Sequence, residues 1–262
     1  MTLAMPVSLV VSHFFEKLKT APRAALLVDY DGTIAPFHVD RFQARPYGGV
    51  LSLLDKIADS GKTRIAVISG RPLIELKALL EPFENVEMWG VHGLERLMPN
   101  GRYSKLPIDD ACVELLAEAK RSIVQSGLIT LAEIKPGGIA MHWRGLPSRE
   151  ADFAAATVRQ VLKPFGKEPL LRLLDFEQGV ELRVAHPDKG DAVTTIVGEM
   201  EPQAQVAYLG DDFTDEDAFR ALGGRGLTVL VRPEFRQTEA QAWLKPPLEL
   251  RGFLEDWLQC LR

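Results

Sequence analysis

The apolar run Ala24-Ala25-Leu26-Leu27-Val28 ends in Asp29-Tyr30-Asp31-Gly32-Thr33, and this junction constrains the fold more than any other stretch. The run reads as a buried β-strand. Two carboxylates therefore leave the C-terminal end of a strand two residues apart, followed by a glycine and a hydroxyl. In an open α/β sheet, ligands bind outside that end of the strands. A buried pair of acids needs a cation, a proton or hydrogen-bond donors to compensate it. In isolation the same five residues also fit an Asp-Gly turn with two solvated acids. The rest of the chain decides between the two.

Residues 47–60 carry apolar side chains at Val50, Leu51, Leu54, Ile57 and Ala58, the spacing of an amphipathic helix, which Gly61 ends. Residues 64–68 read as a second buried strand, 72–80 as a helix with Pro72 at its first position, and 86–90 as a third strand. This βαβαβ order predicts a parallel sheet with right-handed crossovers. The pattern then changes to a helix over 107–126, strands over 128–134 and 138–143, a helix over 149–162, and strands over 170–175 and 179–184. Such a run predicts a helix pair on an antiparallel sheet. From Lys189 the alternation returns, with helices over 192–200, 214–222 and 248–261 and strands over 205–209 and 227–231. The expected fold class is α/β. A Rossmann-like core with a parallel sheet, residues 1–103 and 187–262, is interrupted by an α+β insertion over 104–186.

Composition excludes several classes. Net charge is −5 with no long run of Lys or Arg, so a nucleic-acid partner is not expected. Cys112 and Cys260 form no CxxC pair and read as reduced thiols. The apolar stretch 3–15 contains Pro6 and His13 and lacks a basic flank, so it reads as a docking helix rather than a signal peptide. No run has the length of a transmembrane helix. A cytoplasmic protein without a membrane partner is expected.

Polar groups of complementary type stand at the strand ends. The strand 64–68 ends in Ser69-Gly70-Arg71 and opens into a helix, where a hydroxyl and backbone N–H groups make a phosphate site. Lys189-Gly190 precedes another helix and can place an ammonium beside the same phosphate. The strand 205–209 leads into Gly210-Asp211-Asp212, with Asp215, Glu216 and Asp217 following. Mg²⁺ is usually held by one or two carboxylates plus substrate phosphate and water, and Asp29 and Asp211 can supply them. The acids at 214–217 also suit the first turn of a helix.

This constellation, DxDGT at Asp29–Thr33, Ser69, Lys189 and GDDxxD at Gly210–Asp215, resembles the haloacid dehalogenase superfamily of phosphatases. The insertion looks like the cap that some members place over the active site. Ile68-Ser69-Gly70-Arg71, Gly90-Val91-His92-Gly93-Leu94-Glu95, His142-Trp143-Arg144 and Gly210–Asp217 resemble the trehalose-6-phosphate phosphatase family more narrowly. Ile34 stands where leucine is more usual there, and residues 184–187 depart from the pattern.

The resemblance implies Mg²⁺-dependent hydrolysis of trehalose 6-phosphate to trehalose and phosphate. Asp29 would be the nucleophile and form an aspartyl-phosphate, splitting one difficult step into two. Asp31 would protonate the departing sugar oxygen and then deprotonate water. Thr33 is counted with these catalytic residues, and Ser69 and Lys189 would hold phosphoryl oxygens. Mg²⁺ would meet Asp29, the Asp31 carbonyl and Asp211, with Asp212 or Asp215 orienting its water or Lys189. Glu133, Lys135 and Glu181 are the implied sugar binders in the cap. His142 and Arg144 lie on or beside the same strands, Arg71 is counted with the substrate-binding residues, and Gly93 and Glu95 are expected to shape the core-side rim. Cap closure about hinges near 103–107 and 186–189 would exclude water. The alternatives are the same chemistry on sucrose phosphate or a glycosyl-glycerate phosphate, a phosphomutase, and a non-catalytic sugar-phosphate sensor, which the presence of Asp29, Asp31, Ser69, Lys189 and Asp211 disfavours. With no room for a glycosyltransferase domain in 262 residues, the small sugar phosphate is expected by diffusion or from a separate trehalose-6-phosphate synthase.

Overall fold

The computed structural model describes residues 7–83, 85–176 and 178–262. In chain order, α1 (Val7–Thr20), β1 (Ala24–Val28), α2 (Val50–Asp59), β2 (Thr63–Ile68), α3 (Leu73–Leu80) and β3 (Glu87–Gly90) come first, then β4 (Glu95–Leu97) and β5 (Tyr103–Lys105). The insertion holds α4 (Asp110–Gln125), β6 (Ala132–Lys135), β7 (Gly138–His142), α5 (Ser148–Leu162), β8 (Leu171–Phe176) and β9 (Gly179–Val184). The chain continues with α6 (Lys189–Gly198), β10 (Gln205–Gly210), α7 (Glu216–Leu222), β11 (Leu227–Val231), β12 (Ala242–Leu244) and α8 (Leu248–Cys260). Two compact units result, one of residues 1–104 with 189–262 and one of 105–188. Of the stretch expected as a docking helix, residues 3–6 lie outside the described residues and the remainder falls in α1. Among the described residues no helix is long and apolar enough to cross a membrane.

Among the described residues, the first unit's sheet has strand order β12-β11-β10-β1-β2-β3-β4-β5. It is parallel from β12 to β3, and β4 turns back antiparallel to β3. The order reverses direction between β1 and β10, the place where doubly wound sheets open a crevice. Every residue of β1 is buried. Leu26 and Val28 join one apolar cluster with α2 and α8, while Ala25 and Leu27 join another with α6 and α7. Helices on both faces explain why this strand is a continuous apolar run.

The second unit's sheet, β6-β7-β9-β8, is antiparallel throughout. Ile139, Met141, Val180 and Leu182 pack against Ala119 and Ile123 of α4 and Ala154 and Val158 of α5. The strand expected over 128–134 is only half strand. Residues Ile129–Leu131 form a 3₁₀ turn, closed by Leu131 N–H donating to Leu128 O at 3.0 Å. Leu128 and Leu131 both lean on this unit's core, a spacing of three that suits a turn and not a strand. Two further expectations shift at helix starts. Pro72 is the N-cap of α3 rather than its first helical residue, and residues 213–215 form a 3₁₀ turn before α7. The short strands β4, β5 and β12 were not expected.

One edge of the core is tied by charge. Glu87 is buried and accepts from Arg64 Nε, Arg96 Nε and Trp89 Nε1, each at 2.7 Å. Glu199, just after α6, accepts from both arginines. Hydrogen bonds from Arg96 and then Arg64 lower its carboxyl from 4.5 to about 2. A depressed folded-state value stabilises the fold above the ordinary value, and the gain is lost as pH falls toward the depressed one. Glu199→Gln should therefore flatten the acid limb of the stability profile between 4.5 and about 2 in urea titrations. Parallel profiles for the two proteins would refute this.

Candidate active site

Three neighbouring strands, β10, β1 and β2, deliver one polar residue each just past their C-terminal ends. Asp29 follows β1, and its N–H donates to Leu209 O at 2.8 Å, extending the ladder with β10 by one residue. Asp211 follows β10, and Ser69 follows β2, with its N–H donating to Trp89 O at 2.9 Å. All three are buried, as is Lys189 at the first residue of α6. The parallel register thus brings together residues that are up to 182 positions apart in sequence (29 to 211).

Lys189 joins two of the acids. Its Nζ donates to Asp29 Oδ1 and to Asp215 Oδ1, each at 2.7 Å. Asp215 Oδ1 also accepts from the Tyr208 hydroxyl at 2.6 Å. Its Oδ2 accepts from the Asp211 and Asp212 N–H groups at 3.0 and 2.9 Å. Of the two acids expected to orient Lys189, Asp215 reaches it, while the Asp212 side chain accepts from Phe213 N–H and caps the 3₁₀ turn. Gly210 makes this possible, since a Cβ there would stand 2.4 Å from Asp215 Cγ. Thr33 Oγ1 donates to Asp29 Oδ2 at 3.2 Å.

The electrostatics follow from burial. Desolvation pushes the Asp29 carboxyl up to about 7, opposed by Lys189 and reinforced by Asp215 and Asp31. Desolvation alone would lower the Lys189 ammonium, but Asp215 and Asp29 outweigh it and hold the proton more tightly than usual. Tyr208 is raised by burial and then by Asp215, so its hydroxyl stays a donor.

Asp211 is the unsatisfied member. Both of its carboxylate oxygens are buried without a hydrogen-bond partner among the described residues, and Arg232 Nη1 lies 3.8 Å from Oδ2. Burial first, then Asp29, Asp212 and Asp215, raise its pKa well above the ordinary value. Gly32, in the left-handed region at φ 84°, makes room for it, because a Cβ there would fall 2.1 Å from Asp211 Oδ2. Carboxylate oxygens of Asp29, Asp211 and Asp215 lie within 4.8 Å of one another. An all-oxygen donor set with one buried carboxylate that accepts no hydrogen bond fits a hard divalent cation such as Mg²⁺.

The Asp31 side chain points to a different partner. Its two oxygens accept from Arg71 Nε at 2.6 Å and Nη2 at 2.7 Å. Arg71 Nη1 is buried without a hydrogen-bond acceptor among the described residues, 3.6 Å from Glu75. The start of α3 differs from expectation. Its Leu73 N–H is capped by Glu95 Oε2 at 3.0 Å, and the Arg71 N–H donates to Ser69 Oγ at 3.1 Å. Glu95 thus closes part of the helix end that was expected to face phosphate. Gly93 sits at φ 112° after Val91 and His92, which are themselves left-handed at 48° and 57°. For a β-branched valine that backbone is strained. Its return is that Val91 and His92 N–H groups donate to Arg71 O and Ser69 O, both at 2.9 Å, and tie down the Ser69–Arg71 loop.

The second unit gathers its own polar set. In the sheet, Glu133 of β6 pairs with Ala140 of β7, and Ala140 pairs with Glu181 of β9. Period-2 alternation puts Lys135 and His142 on that same face, opposite the apolar one. Lys135 Nζ donates to Glu181 Oε1 at 3.0 Å and lies 3.8 Å from Glu133 Oε1. His142 Nε2 is 2.9 Å from Glu133 Oε2. The small Ala140 stands between the two carboxylates in the ladder. Arg144 lies half-buried in the turn after β7.

The family model for trehalose-phosphatase matches residues 27–242, which spans every residue of both sets. The chain belongs to the trehalose-phosphatase family. The trehalose-phosphate phosphatase of Mycobacterium ulcerans is 30% identical over 248 residues, covering 89% of this chain and 61% of that protein. This chain therefore spans less than two thirds of that relative. A bifunctional trehalose-6-phosphate synthase/phosphatase of Thermoproteus tenax is 30% identical over 83% of this chain and 30% of its own length. The trehalose-6-phosphate phosphatase C-terminal domain of Candida albicans superposes with a TM-score of 0.79, at 24% identity and 99% coverage of both chains. The fold is that of a trehalose-phosphatase, a Rossmann-like core carrying an inserted cap.

Several residues packed around these two polar sets were not singled out in the sequence. Tyr208 lies inside an apolar strand, and a buried hydroxyl there needs a partner, which was the available signal. Arg183, on β9 beside Glu181, is buried and donates to Val184 O and Pro187 O. A charged residue within a core strand is again a legible signal. Arg236 sits in the irregular segment between β11 and β12, and nothing in its local sequence marks it.

Proposed function

We propose that this chain is a Mg²⁺-dependent phosphatase that converts trehalose 6-phosphate to trehalose and phosphate. The observation that carries the reading is the buried Asp29–Lys189–Asp215 triad beside the Asp211 carboxylate, which accepts no hydrogen bond among the described residues. Family membership supports the substrate. The first unit is assigned the chemistry and the second the recognition of sugar.

Asp29 attacks phosphorus, the bond from phosphorus to the sugar oxygen breaks, and the phosphoryl group passes to the Asp29 carboxylate. Asp31 gives the departing oxygen its proton, so trehalose leaves neutral. To do this Asp31 must exchange the Arg71 fork for the leaving oxygen. The buried Arg71 Nη1 gives that arginine a donor for phosphate. Water then attacks the aspartyl-phosphate, Asp31 takes its proton, and Asp29 is regenerated with release of phosphate. Lys189 and Ser69 neutralise and hold the phosphoryl oxygens, while Asp215 and Thr33 keep Lys189 and Asp29 in place. Asp29 and Asp211 would hold the cation, with the Asp31 main-chain carbonyl as a further oxygen. A divalent cation there supplies positive charge to the phosphoryl oxygens.

Glu133, Lys135, Glu181 and His142 are assigned to sugar hydroxyls, which carboxylates and ammonium groups discriminate strongly when buried. Arg144, Gly93 and Glu95 are assigned to the rim. A separate synthase is the proposed source of substrate.

The test is phosphate release with Mg²⁺ and with chelator from trehalose 6-phosphate, sucrose 6-phosphate, glucose 6-phosphate, a glycosyl-glycerate phosphate and p-nitrophenyl phosphate. Metal-dependent preference for trehalose 6-phosphate is expected. Preference for another sugar phosphate would discard the substrate and retain the mechanism, and release unaffected by chelator would discard the cation. Glu181→Ala should lower kcat/KM for the preferred sugar phosphate about 10- to 100-fold, the worth of one charge-assisted hydrogen bond. Turnover of p-nitrophenyl phosphate should barely change. Equal losses on both would remove Glu181 from sugar recognition.

A further inference from the structure

Asp211 raises a question of positioning. Among the described residues its carboxylate accepts no hydrogen bond and meets only the Arg232 guanidinium at 3.8 Å, so its aim depends on the main chain that carries it. On one side that main chain is gripped by Asp215, which accepts from the Asp211 and Asp212 N–H groups. On the other side it is gripped by Arg236. Nε donates to Asp211 O at 3.1 Å, and Nη2 donates to Asp212 O at 2.7 Å. The Asp211–Asp212 peptide is thus held at its N–H by Asp215 and at its carbonyl by Arg236, with Arg232 Nη1 a longer donor to that same oxygen at 3.4 Å.

Arg236 is itself fixed. Its Nη1 donates to Glu216 Oε1 and to Gln237 O, and its guanidinium lies 4.7 Å from the Phe213 ring centroid. Glu216, at the first residue of α7, also accepts from Thr238 Oγ1 and Glu239 N–H, both at 2.8 Å. The segment 236–239 is therefore hitched to α7 around one buried carboxylate.

We propose that Arg236 is a positioning residue that locks the Asp211-Asp212 main chain and so aims the Asp211 carboxylate. Its link to cation binding rests on the proposal that Asp211 holds the metal. Two separate N–H groups of one planar fork reach two successive carbonyls, a task the single ammonium of lysine cannot reproduce. If Arg236 served only to offset nearby acids, Arg236→Lys would suffice.

The test uses the whole chain with Arg236→Met and Arg236→Lys, and two readouts. Amide hydrogen exchange without metal should show residues 211–212 exchanging about tenfold faster in both variants, the loss of roughly one net hydrogen bond. Residues 24–28 of β1 should be unchanged. Mn²⁺ alone, followed by the loss of its aqueous electron paramagnetic resonance signal, should bind about 10- to 100-fold more weakly, the usual cost of losing a residue that orients a metal ligand. Wild-type behaviour of Arg236→Lys, or unchanged exchange in Arg236→Met, would overturn the lock. Loosened exchange with unchanged Mn²⁺ affinity would overturn its link to the cation. If the wild-type chain binds no Mn²⁺, the assignment of Asp211 to a metal fails, and exchange alone decides the lock. Should Arg236→Met unfold, Glu216→Gln, which weakens the Nη1 anchor and the contacts to Thr238 and Glu239 without touching the bonds from Arg236 to Asp211 and Asp212, carries the same expectation with a smaller shift.

Discussion

Asp29→Asn should cut turnover of the proposed substrate by on the order of 10⁴-fold or more, the scale seen when a nucleophile is removed from a preassembled site. The fold should survive. The amide has nearly the shape of the carboxyl, and its oxygen can still accept from Lys189 Nζ, which Asp29 Oδ1 does at 2.7 Å. Burial already holds the Asp29 carboxyl up to about 7, so the surroundings tolerate a neutral group at this position. Initial rates of phosphate release and a thermal melt measure both halves. Wild-type enzyme quenched in acid during turnover should carry phosphate on the peptide containing Asp29, and the variant should not. Residual turnover within a hundredfold of wild type would remove Asp29 as the nucleophile.

How far this site was readable depends on what kind of signal each residue leaves. Asp29, Ser69 and Asp211 stand directly after apolar strands, and strand ends in a parallel α/β order converge in space. Periodicity alone therefore groups them, and the register of β10, β1 and β2 does bring them together. Lys189 opens a helix, and the place of Lys189-Gly190 just ahead of the expected helix gave the hint. The polar face of the second unit was readable because alternation along β6, β7 and β9 fixes which side chains share a side.

What sequence did not reveal is which partner each side chain selects. Asp31 and Arg71 were given separate tasks, yet they form a bidentate pair. Glu95 was placed on a rim, yet its carboxylate caps α3. These pairings depend on side-chain reach across loops, which no period encodes. Arg236 is the extreme case. It comes from the irregular segment after β11 and acts on main-chain carbonyls, a kind of contact that leaves no pattern in residue type.

Asp211→Asn should separate stability from function in opposite directions. In the absence of metal, Asp211 is a carboxylate at 1% exposure whose two oxygens find no donor, with Asp29 and Asp215 close by. Removing its charge removes a desolvation and repulsion penalty, so the metal-depleted variant should be more stable than wild type by about 1–3 kcal/mol. In a melt with chelator its Tm should rise by a few degrees. With Mg²⁺ the order should reverse. The wild-type fold gains by mass action, about 2.7 kcal/mol when the ion stands at a hundredfold excess over its Kd. The amide is a poorer ligand for a hard cation, so the variant should gain little, and phosphate release should be lost with it. A site assembled for a bound ion is expected to cost stability while the ion is absent. If Asp211→Asn instead lowers Tm in chelator, the carboxylate is satisfied by some partner other than a cation. The whole charge arrangement around Asp29, Lys189 and Asp215 would then have to be explained without one.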